Sequence, residues 1–346
     1  MLQRIKSAAL MLAALLASGG AGADAALEAL NGGDHLSAFE AFSARAAAGD
    51  AKAQNNLGVM YLRGQGTEQD YDRAMYWFQQ AADLGLRGAL HNLAMMYLRG
   101  YGRPADAAAA LPLFEQAARR GDRESQFYLA TLLHEGNGAE ADPVAAAMWF
   151  RQAAEQELDA AQFNLALMYL EGDGIANDIE QAVTWLERAA AQDHEPAMAA
   201  LAQIYLDRNS QWHDMEAGVA LVRRGAEAGA PDLQTRLGAL YSIGYGVEQD
   251  SAEALFWLTL AARQGSALAQ LSIGDLHVRG LNGADGSDPV EAYAWYRLSA
   301  ATGFTPAGDR AEQLRQELDD GGRARAEARF DDLQAEYLAP AGGGAE

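Results

Sequence analysis

Apolar and small residues recur along most of this chain at a fixed step of 36 residues. One such column holds alanine, at Ala82, Ala118, Ala154, Ala190, Ala226 and Ala262. Another holds leucine, at Leu57, Leu93, Leu129, Leu165, Leu201 and Leu237. A period of this length is the sequence signature of supersecondary units that stack on their neighbours. The pattern therefore predicts a repeat protein.

Within one repeat, the apolar and small residues follow two helical stripes that are separated by a glycine-rich turn. The stripes of the first repeat are Ala53, Leu57, Met60 and Tyr61, and then Ala74, Trp77, Phe78, Ala81 and Ala82. Gly64 and Gly66 lie between them, where glycine can adopt the positive φ that ends a helix. Asp70 follows at the position of an N-cap for the second helix. Each repeat is therefore predicted to be a helix–turn–helix hairpin.

The repeat resembles the Sel1-like repeat, a relative of the tetratricopeptide repeat. The resemblance lies in the spacing A-x-A-Q-x-x-L-G-x-x-Y-x-x-G-x-G-x-x-x-D-x-x-x-A-x-x-W-x-x-x-A-A-x-x-G, which seven repeats follow over residues 50–303. It implies an all-α fold, a right-handed α/α superhelical solenoid of about seven helix–turn–helix repeats with terminal caps. The fifth repeat departs from the pattern, because Arg208 and Ser210 replace the two turn glycines.

The segments that flank the repeats are predicted to cap the two ends of the solenoid. Residues 24–49 form an amphipathic half-repeat, in which Phe39 and Phe42 face the first full repeat. Residues 304–338 are predicted to form two capping helices, and residues 339–346 a disordered tail. Caps of this kind cover the terminal apolar faces that a stack of repeats otherwise exposes.

The first 23 residues have the pattern of a secretory signal peptide. Arg4 and Lys6 form a short basic region, residues 8–17 are apolar, and residues 21–23 offer an A-x-A cleavage site. We expect cleavage after Ala23 and a periplasmic or secreted mature protein. The apolar run is too short to cross a bilayer, and no other stretch is long enough for a membrane span. The alternative interpretation is an amphipathic or buried first helix.

Composition and charge argue against several classes of function. The chain has 48 acidic and 26 basic residues, so its formal charge is −22, and removal of Arg4 and Lys6 would make it −24. No basic stripe offsets this charge, and nucleic-acid binding is therefore not expected. The absence of cysteine excludes disulfides, thiolate catalysis and cysteine-bound metals. We expect no metal and no cofactor.

The sequence matches known catalytic motifs only in part. His134 and His194 are each followed by Glu, but Gly138 and Met198 stand where H-E-x-x-H needs its second histidine. The Gly-x-Gly pairs lie between two helices and not in a βαβ unit, so they predict helix turns. We therefore expect no enzymatic activity. A β-lactam or cell-wall-active hydrolase stays an alternative through the resemblance to secreted cysteine-rich members, although an S-x-x-K signature is absent.

A partner-binding stripe is predicted on the first helix of each hairpin, because the resemblance implies that this helix lines the concave face. In the first repeat the stripe follows Lys52, Asn55, Val59 and Leu62. The positions equivalent to Asn55 and Val59 are His91 and Met95, Phe127 and Thr131, and Phe163 and Leu167. Two interpretations stay open: these side chains grip a partner helix or extended peptide, or they pack between neighbouring first helices.

Trp212 is a second candidate for partner binding, because it lies outside the tryptophan column in the irregular turn of the fifth repeat. Aromatic residues exposed in such loops often contribute strongly to contacts with a partner. The alternative is that Trp212 fills the space left by the missing glycine turn.

The predicted function is that of an exported scaffold that binds a protein or peptide partner in its concave groove. The resemblance implies a role in envelope assembly, exopolysaccharide export or regulation of a membrane sensor. The acidic surface favours a partner with basic or mixed rim residues. A secreted effector directed at a host is the alternative from a different functional class.

Overall fold

The computed structural model describes residues 21–281 and 286–337. Residues 1–20 of the predicted signal peptide lie outside the described residues, as does the predicted tail at 339–346. Within the described ranges, every element of regular secondary structure is an α-helix. None of these helices combines the length and the apolar character that a membrane crossing requires.

The chain divides into two compact units, with the boundary between Ala182 and Val183. The N-terminal unit contains α1 (Ala21–Asn31), α2 (His35–Ala47), α3 (Ala51–Arg63), α4 (Tyr71–Asp83), α5 (Arg87–Arg99), α6 (Ala107–Arg119), α7 (Arg123–Glu135), α8 (Pro143–Glu155) and α9 (Asp159–Glu171). The boundary falls inside α10 (Ile179–Ala191). The C-terminal unit contains α11 (Glu195–Leu206), α12 (Met215–Glu227), α13 (Pro231–Ile243), α14 (Ser251–Arg263), α15 (Ala267–Val278), α16 (Pro289–Ala301), α17 (Thr305–Glu317) and α18 (Asp320–Tyr337). From α3 to α16, each odd-numbered helix and the helix after it form one repeat.

The ends of the helices follow the capping chemistry expected from the sequence. Asp70 caps α4, because its Oδ1 accepts the backbone N–H of Arg73 at 2.9 Å. Equivalent aspartates cap second helices in other repeats, at Asp106, Asp142, Asp214, Asp250 and Asp288. Gly64 ends α3 in the left-handed conformation, with a φ of 66°. The predicted helix–turn–helix hairpin is therefore confirmed down to its cap residues.

The second glycine of the turn serves a different purpose, which is close contact with the preceding hairpin. A Cβ atom on Gly66 would lie 2.1 Å from the carbonyl oxygen of His35, at the start of α2. A Cβ atom on Gly174 would lie 2.2 Å from the carbonyl oxygen of Pro143, at the start of α8. The Gly-x-Gly pair thus ends one helix and packs the turn against the helix pair before it.

Buried glutamines tie the first helix of a repeat to the end of the preceding helix. Gln126 donates from Nε2 to the carbonyl oxygen of Ala118 at 3.1 Å, and Gln162 donates to that of Ala154 at 3.1 Å. The same bond is made by Gln54, Gln234 and Gln270. Because a buried amide without a partner is costly, this bond favours one spacing between consecutive hairpins.

The helical pair α1–α2 covers the first full repeat with the two aromatic residues that the sequence singles out. Phe42 is only 1% exposed and lies in the same apolar cluster as Leu57 and Met60. The ring of Phe39 meets the ring of Tyr61 edge-on, with the centroids 5.4 Å apart. Full burial of one such side chain stabilises a fold by about 1.5–3 kcal/mol.

Two further helices, α17 and α18, pack against α16 near the other end of the described chain. Leu333 of α18 is fully buried against this face. Arg329 of α18 donates to both carboxylate oxygens of Glu291 in α16, at 2.8 to 3.1 Å. An apolar contact and a bidentate ion pair therefore hold α18 in place together.

The fifth repeat forms its hairpin without turn glycines. Its first helix, α11, ends at Leu206, and Asp207 is extended, with φ −74° and ψ 114°. The Asp207 carboxylate accepts the backbone N–H of Asn209 at 2.9 Å, and Asp214 caps the next helix through the N–H of Ala217. A turn stabilised by aspartate side chains thus replaces the glycine turn, in agreement with the departure seen in the sequence.

Candidate functional site

A groove of about 500 Å³ crosses the first helices of three consecutive repeats in the N-terminal unit. A volume of this size lies in the range of ligand-binding sites. Its lining comes from α3, α5 and α7 and from the turns and helix that adjoin them. We call it the first-helix groove, and it is lined by Leu62, Arg63, Gln69, Tyr71, His91, Asn92, Met95, Met96, Arg99, Tyr101 and Tyr128.

Helix α5 supplies one wall of the first-helix groove through His91, Met95 and Arg99. These residues are four positions apart, so they lie above one another on a single face of the helix. Asn92 lies beside them and donates from Nδ2 to Oδ1 of Asn55 in α3 at 2.9 Å. This bond holds α3 and α5 together along the groove.

Two stacked tyrosines form a second wall. The rings of Tyr71 and Tyr101 are nearly parallel, with an interplanar angle of 18° and centroids 5.6 Å apart. Tyr101 is the middle residue of the turn between Gly100 and Gly102. A Cβ atom on Gly102 would lie 2.7 Å from the Cβ of Tyr71. The close contact at the second turn glycine therefore brings Tyr101 onto Tyr71.

His91 is fixed in the groove by polar and aromatic contacts. Its Nδ1 lies 2.9 Å from Ser125 Oγ and 3.6 Å from a carboxylate oxygen of Asp122. Its ring packs beside those of Phe114 and Tyr128, with centroids 5.7 Å apart in both pairs. Burial lowers the pKa of His91 below its ordinary value of 6.5 and outweighs the opposing effect of Asp122. The imidazole is therefore neutral at pH 7.

The charged residues in the lining of the groove are both arginines. The hydroxyl groups of Tyr101 and Tyr128 interact with Arg99, and the interaction with Tyr101 above all raises the pKa of its guanidinium. Arg63, the last residue of α3, is exposed. The lining contains neither Asp nor Glu. The groove thus combines aromatic surface with guanidinium groups, which can bind a carboxylate through two hydrogen bonds.

Of the six predicted site residues, the structure brings His91 and Met95 together in the first-helix groove. Phe127 is half-buried, and its ring lies beside those of Tyr128 and Phe150, with centroids 5.7 Å apart in both pairs. Phe150 belongs to the second helix of the same hairpin and not to a neighbouring first helix, so this contact favours neither of the two interpretations.

The other three predicted residues do not line this groove. Phe163 and Leu167 are half-buried on α9. Trp212 lies in the C-terminal unit, half-buried in the turn before α12, and its backbone N–H donates to Ser210 Oγ at 3.1 Å. Binding of a partner by any of the six residues stays a prediction.

Residues that the stripe did not include complete the groove, above all Arg63 and Arg99. A signal for them was present, because one more helical turn beyond Val59 and Met95 reaches these two arginines. Tyr101 gave no such signal, since it lies in a turn and reaches the groove only through tertiary packing.

A smaller groove of about 380 Å³ lies in the C-terminal unit. Its lining is mainly apolar and includes Leu201 and Leu221. Leu221 stands in the column that holds tryptophan in other repeats, such as Trp77 and Trp149. The smaller side chain leaves this space open. The described residues contain no group of three or more His, Asp or Glu placed to hold a metal ion.

The model of the Sel1 repeat family matches six segments of the chain, at residues 51–86, 88–122, 123–158, 159–194, 231–266 and 267–304. The unmatched residues 195–230 contain the fifth repeat, in which the glycine turn is missing. Among curated proteins, none matches this sequence.

Two solved structures resemble this chain over most of its length. One is a protective antigen present in uropathogenic Escherichia coli strains that displays an SLR fold, with a TM-score of 0.78 and 28% identity over 90% of this chain and 68% of that one. The other is a Sel1 repeat protein from Oxalobacter formigenes, with a TM-score of 0.64 and 32% identity over 80% of each chain. The predicted fold class, an all-α solenoid of Sel1-like repeats, is therefore confirmed.

Proposed function

Because this chain belongs to the Sel1 repeat family, whose members are commonly protein-interaction scaffolds, we propose that its first-helix groove binds an extended segment of a partner protein. The observation that carries the proposal is the groove itself, which spans three consecutive first helices and joins His91 and Met95 to two stacked tyrosines. The Sel1 repeat fold is typically a non-catalytic scaffold, and the proposed role needs no chemical step.

The lining suits a peptide that lies across the helices. The rings of Tyr71 and Tyr101 and the side chain of Met95 offer apolar contact to alternate side chains of an extended segment. The amides of Gln69 and Asn92 and the hydroxyl of Tyr128 lie among them, where they can bond to backbone groups of the segment. Apolar and polar contacts together give such a groove both affinity and orientation.

The mature protein is proposed to act in the periplasm or outside the cell. Support comes from the basic residues Arg4 and Lys6, the apolar run at 8–17 and the cleavage motif at 21–23. Envelope assembly, exopolysaccharide export and regulation of a membrane sensor are processes in which a scaffold in that compartment would act.

A photo-crosslinking experiment in the native cell tests the proposal. The photoreactive residue p-benzoyl-phenylalanine replaces Met95 in one variant and Met148 in a control variant. Met148 is 59% exposed on α8 and is not part of the groove lining. We expect one protein to be captured from position 95 and not from position 148. The mass of the captured chain should correspond to a start at Asp24.

The purified partner then provides the decisive measurement. Its affinity for the mature chain, measured by calorimetry, should fall when Met95→Ser removes apolar contact from the groove. An affinity that is unchanged by Met95→Ser, or equal capture from positions 95 and 148, would show that the partner binds elsewhere. A captured chain that retains residues 1–23 would contradict the proposed processing.

A further inference from the structure

We infer that the segment held in the first-helix groove is acidic, an inference that rests on the binding function proposed above. The whole chain has 48 acidic and 26 basic residues. The lining of this groove contains Arg63 and Arg99 and neither Asp nor Glu. A local positive surface therefore lies within a strongly negative protein, and charge complementarity selects a negative segment.

The two guanidinium groups are available to a carboxylate. Within the described residues, no Asp or Glu forms an ion pair with Arg63 or Arg99. Other arginines of the chain do have such partners, for example Arg119 with Glu115 at 2.6 Å. The groups that raise the pKa of Arg99 are the hydroxyls of Tyr101 and Tyr128, which are neutral. They leave the charge of the guanidinium uncompensated.

The chemistry of Arg99 also suits a planar, two-oxygen partner. Its guanidinium is planar and presents a fork of N–H donors that matches a carboxylate. Arginine and carboxylate then form short, charge-assisted hydrogen bonds, which are about twice as strong as neutral ones. Met95 lies one helical turn before Arg99 and can contact the aliphatic part of a bound Glu or of its neighbour.

The position that holds Arg63 and Arg99 in the first two repeats carries a negative charge in the next two. The positions equivalent to Arg63 and Arg99 are Glu135 in α7 and Glu171 in α9. Like charges facing each other are unfavourable. The acidic part of the segment is therefore restricted to α3 and α5, and this restriction sets the register in which the segment binds.

Net charge alone favours the opposite kind of partner. A formal charge of −22 attracts basic or mixed surfaces at long range. At contact distance, however, the groups that touch the ligand determine which charge it must carry. Exposed charges farther away than about 10 Å are largely screened at 0.1 M salt. The lining of the groove therefore outweighs the average charge of the chain.

Selection from a phage-displayed library of random dodecapeptides tests this inference on the purified mature chain. We expect Asp and Glu to be enriched among the selected peptides. The double variant Arg63→Gln, Arg99→Gln should bind these peptides at least about tenfold more weakly, since each charge-assisted bond contributes strongly to binding. The matched control Arg119→Gln, Arg120→Gln removes the same charge from exposed positions outside the groove and should keep the affinity. Circular dichroism verifies that both variants fold.

Three results would overturn the inference, and they differ in what they mean for the proposed function. Neutral or basic peptides that lose affinity with Met95→Ser would preserve the binding function but exclude the acidic partner. Acidic peptides that weaken equally with both arginine pairs would show a nonspecific charge effect. Failure to select any peptide that depends on Met95, Arg63 or Arg99 would contradict both. The wild-type chain provides an independent check. Its Kd for the acidic peptides should rise when NaCl is increased from 50 to 500 mM.

Discussion

At the scale of single residues, His91 illustrates how burial sets the chemical state of a groove. The ring lies beside those of Phe114 and Tyr128, and burial is the main cause of its lowered pKa. Asp122 and Glu124 oppose the shift, while Arg99 on the same helix adds to it. A neutral imidazole leaves the two arginines as the charged groups of the lining.

This shift predicts how stability depends on pH. The unfolded chain binds a proton at His91 near pH 6.5, whereas the folded chain binds it only at lower pH. The stability linked to His91 is therefore fully present above pH 6.5 and is lost as the pH falls from 6.5 towards the folded pKa. His91→Gln, which keeps a polar side chain, should reduce the loss of stability between pH 7 and pH 5 in urea titrations. An equal loss in wild type and variant would contradict this assignment.

At the scale of the structural element, the two glycines of the Gly-x-Gly turn are subject to different structural constraints. Gly64 needs the left-handed conformation to end α3, with a φ of 66°. Gly66 has a φ of 70° and in addition lies against the backbone of His35. The first constraint is local, whereas the second exists only because a neighbouring hairpin packs there.

A pair of variants separates these two constraints. Gly85 has a φ of 86° but open space around its Cα, so Gly85→Ala should cost only the left-handed strain of about 1–2 kcal/mol. Gly66→Ala should cost about 1–3 kcal/mol more, because a Cβ atom would collide with the His35 carbonyl group and shift α2. Urea unfolding monitored by circular dichroism compares the two. Equal losses would indicate that the turn moves away from α2 at little cost.

These elements also show which features of the fold and of the groove could be predicted from the sequence, and why the other features could not. Gly64 and Asp70 act through their own backbone neighbourhood, so a repeated pattern was enough to predict the hairpin. His91 and Met95 followed from helical spacing on one face. Phe127 occupies the equivalent position in the next repeat, but its ring packs against Phe150, and spacing along one helix contains no information about that neighbour.

Groove residues from turns are the hardest case for the same reason. Tyr101 reaches the groove because Gly102 allows the turn to press against Tyr71. The identity of a middle turn residue carries no signal by itself, since the first repeat has Gln65 at that position. Tertiary contact, which differs from repeat to repeat, decides what such a residue does.

At the scale of the whole molecule, charge has opposite effects on folding and on the proposed binding. A formal charge of −22 gives the folded chain a large excess of like charges, and their mutual repulsion opposes folding. Ion pairs such as Arg329 with Glu291 act in the other direction, but many such pairs contribute about 0–1 kcal/mol when partly exposed. Repulsion should therefore dominate the response to salt.

Raising NaCl from 20 to 500 mM should consequently raise the Tm of the mature chain, because the Debye length shortens from roughly 20 Å to about 4 Å over this range. An uncharged osmolyte at equal osmolality separates this screening from general solvent effects, and it should give a smaller increase. The same salt should weaken an acidic peptide bound at Arg63 and Arg99, since screening removes attraction there. If salt raises the Tm and also weakens peptide binding, the groove is locally positive. A uniformly negative surface would not show this combination. If salt instead lowers the Tm, attractive ion pairs and not net repulsion dominate the electrostatics of the fold.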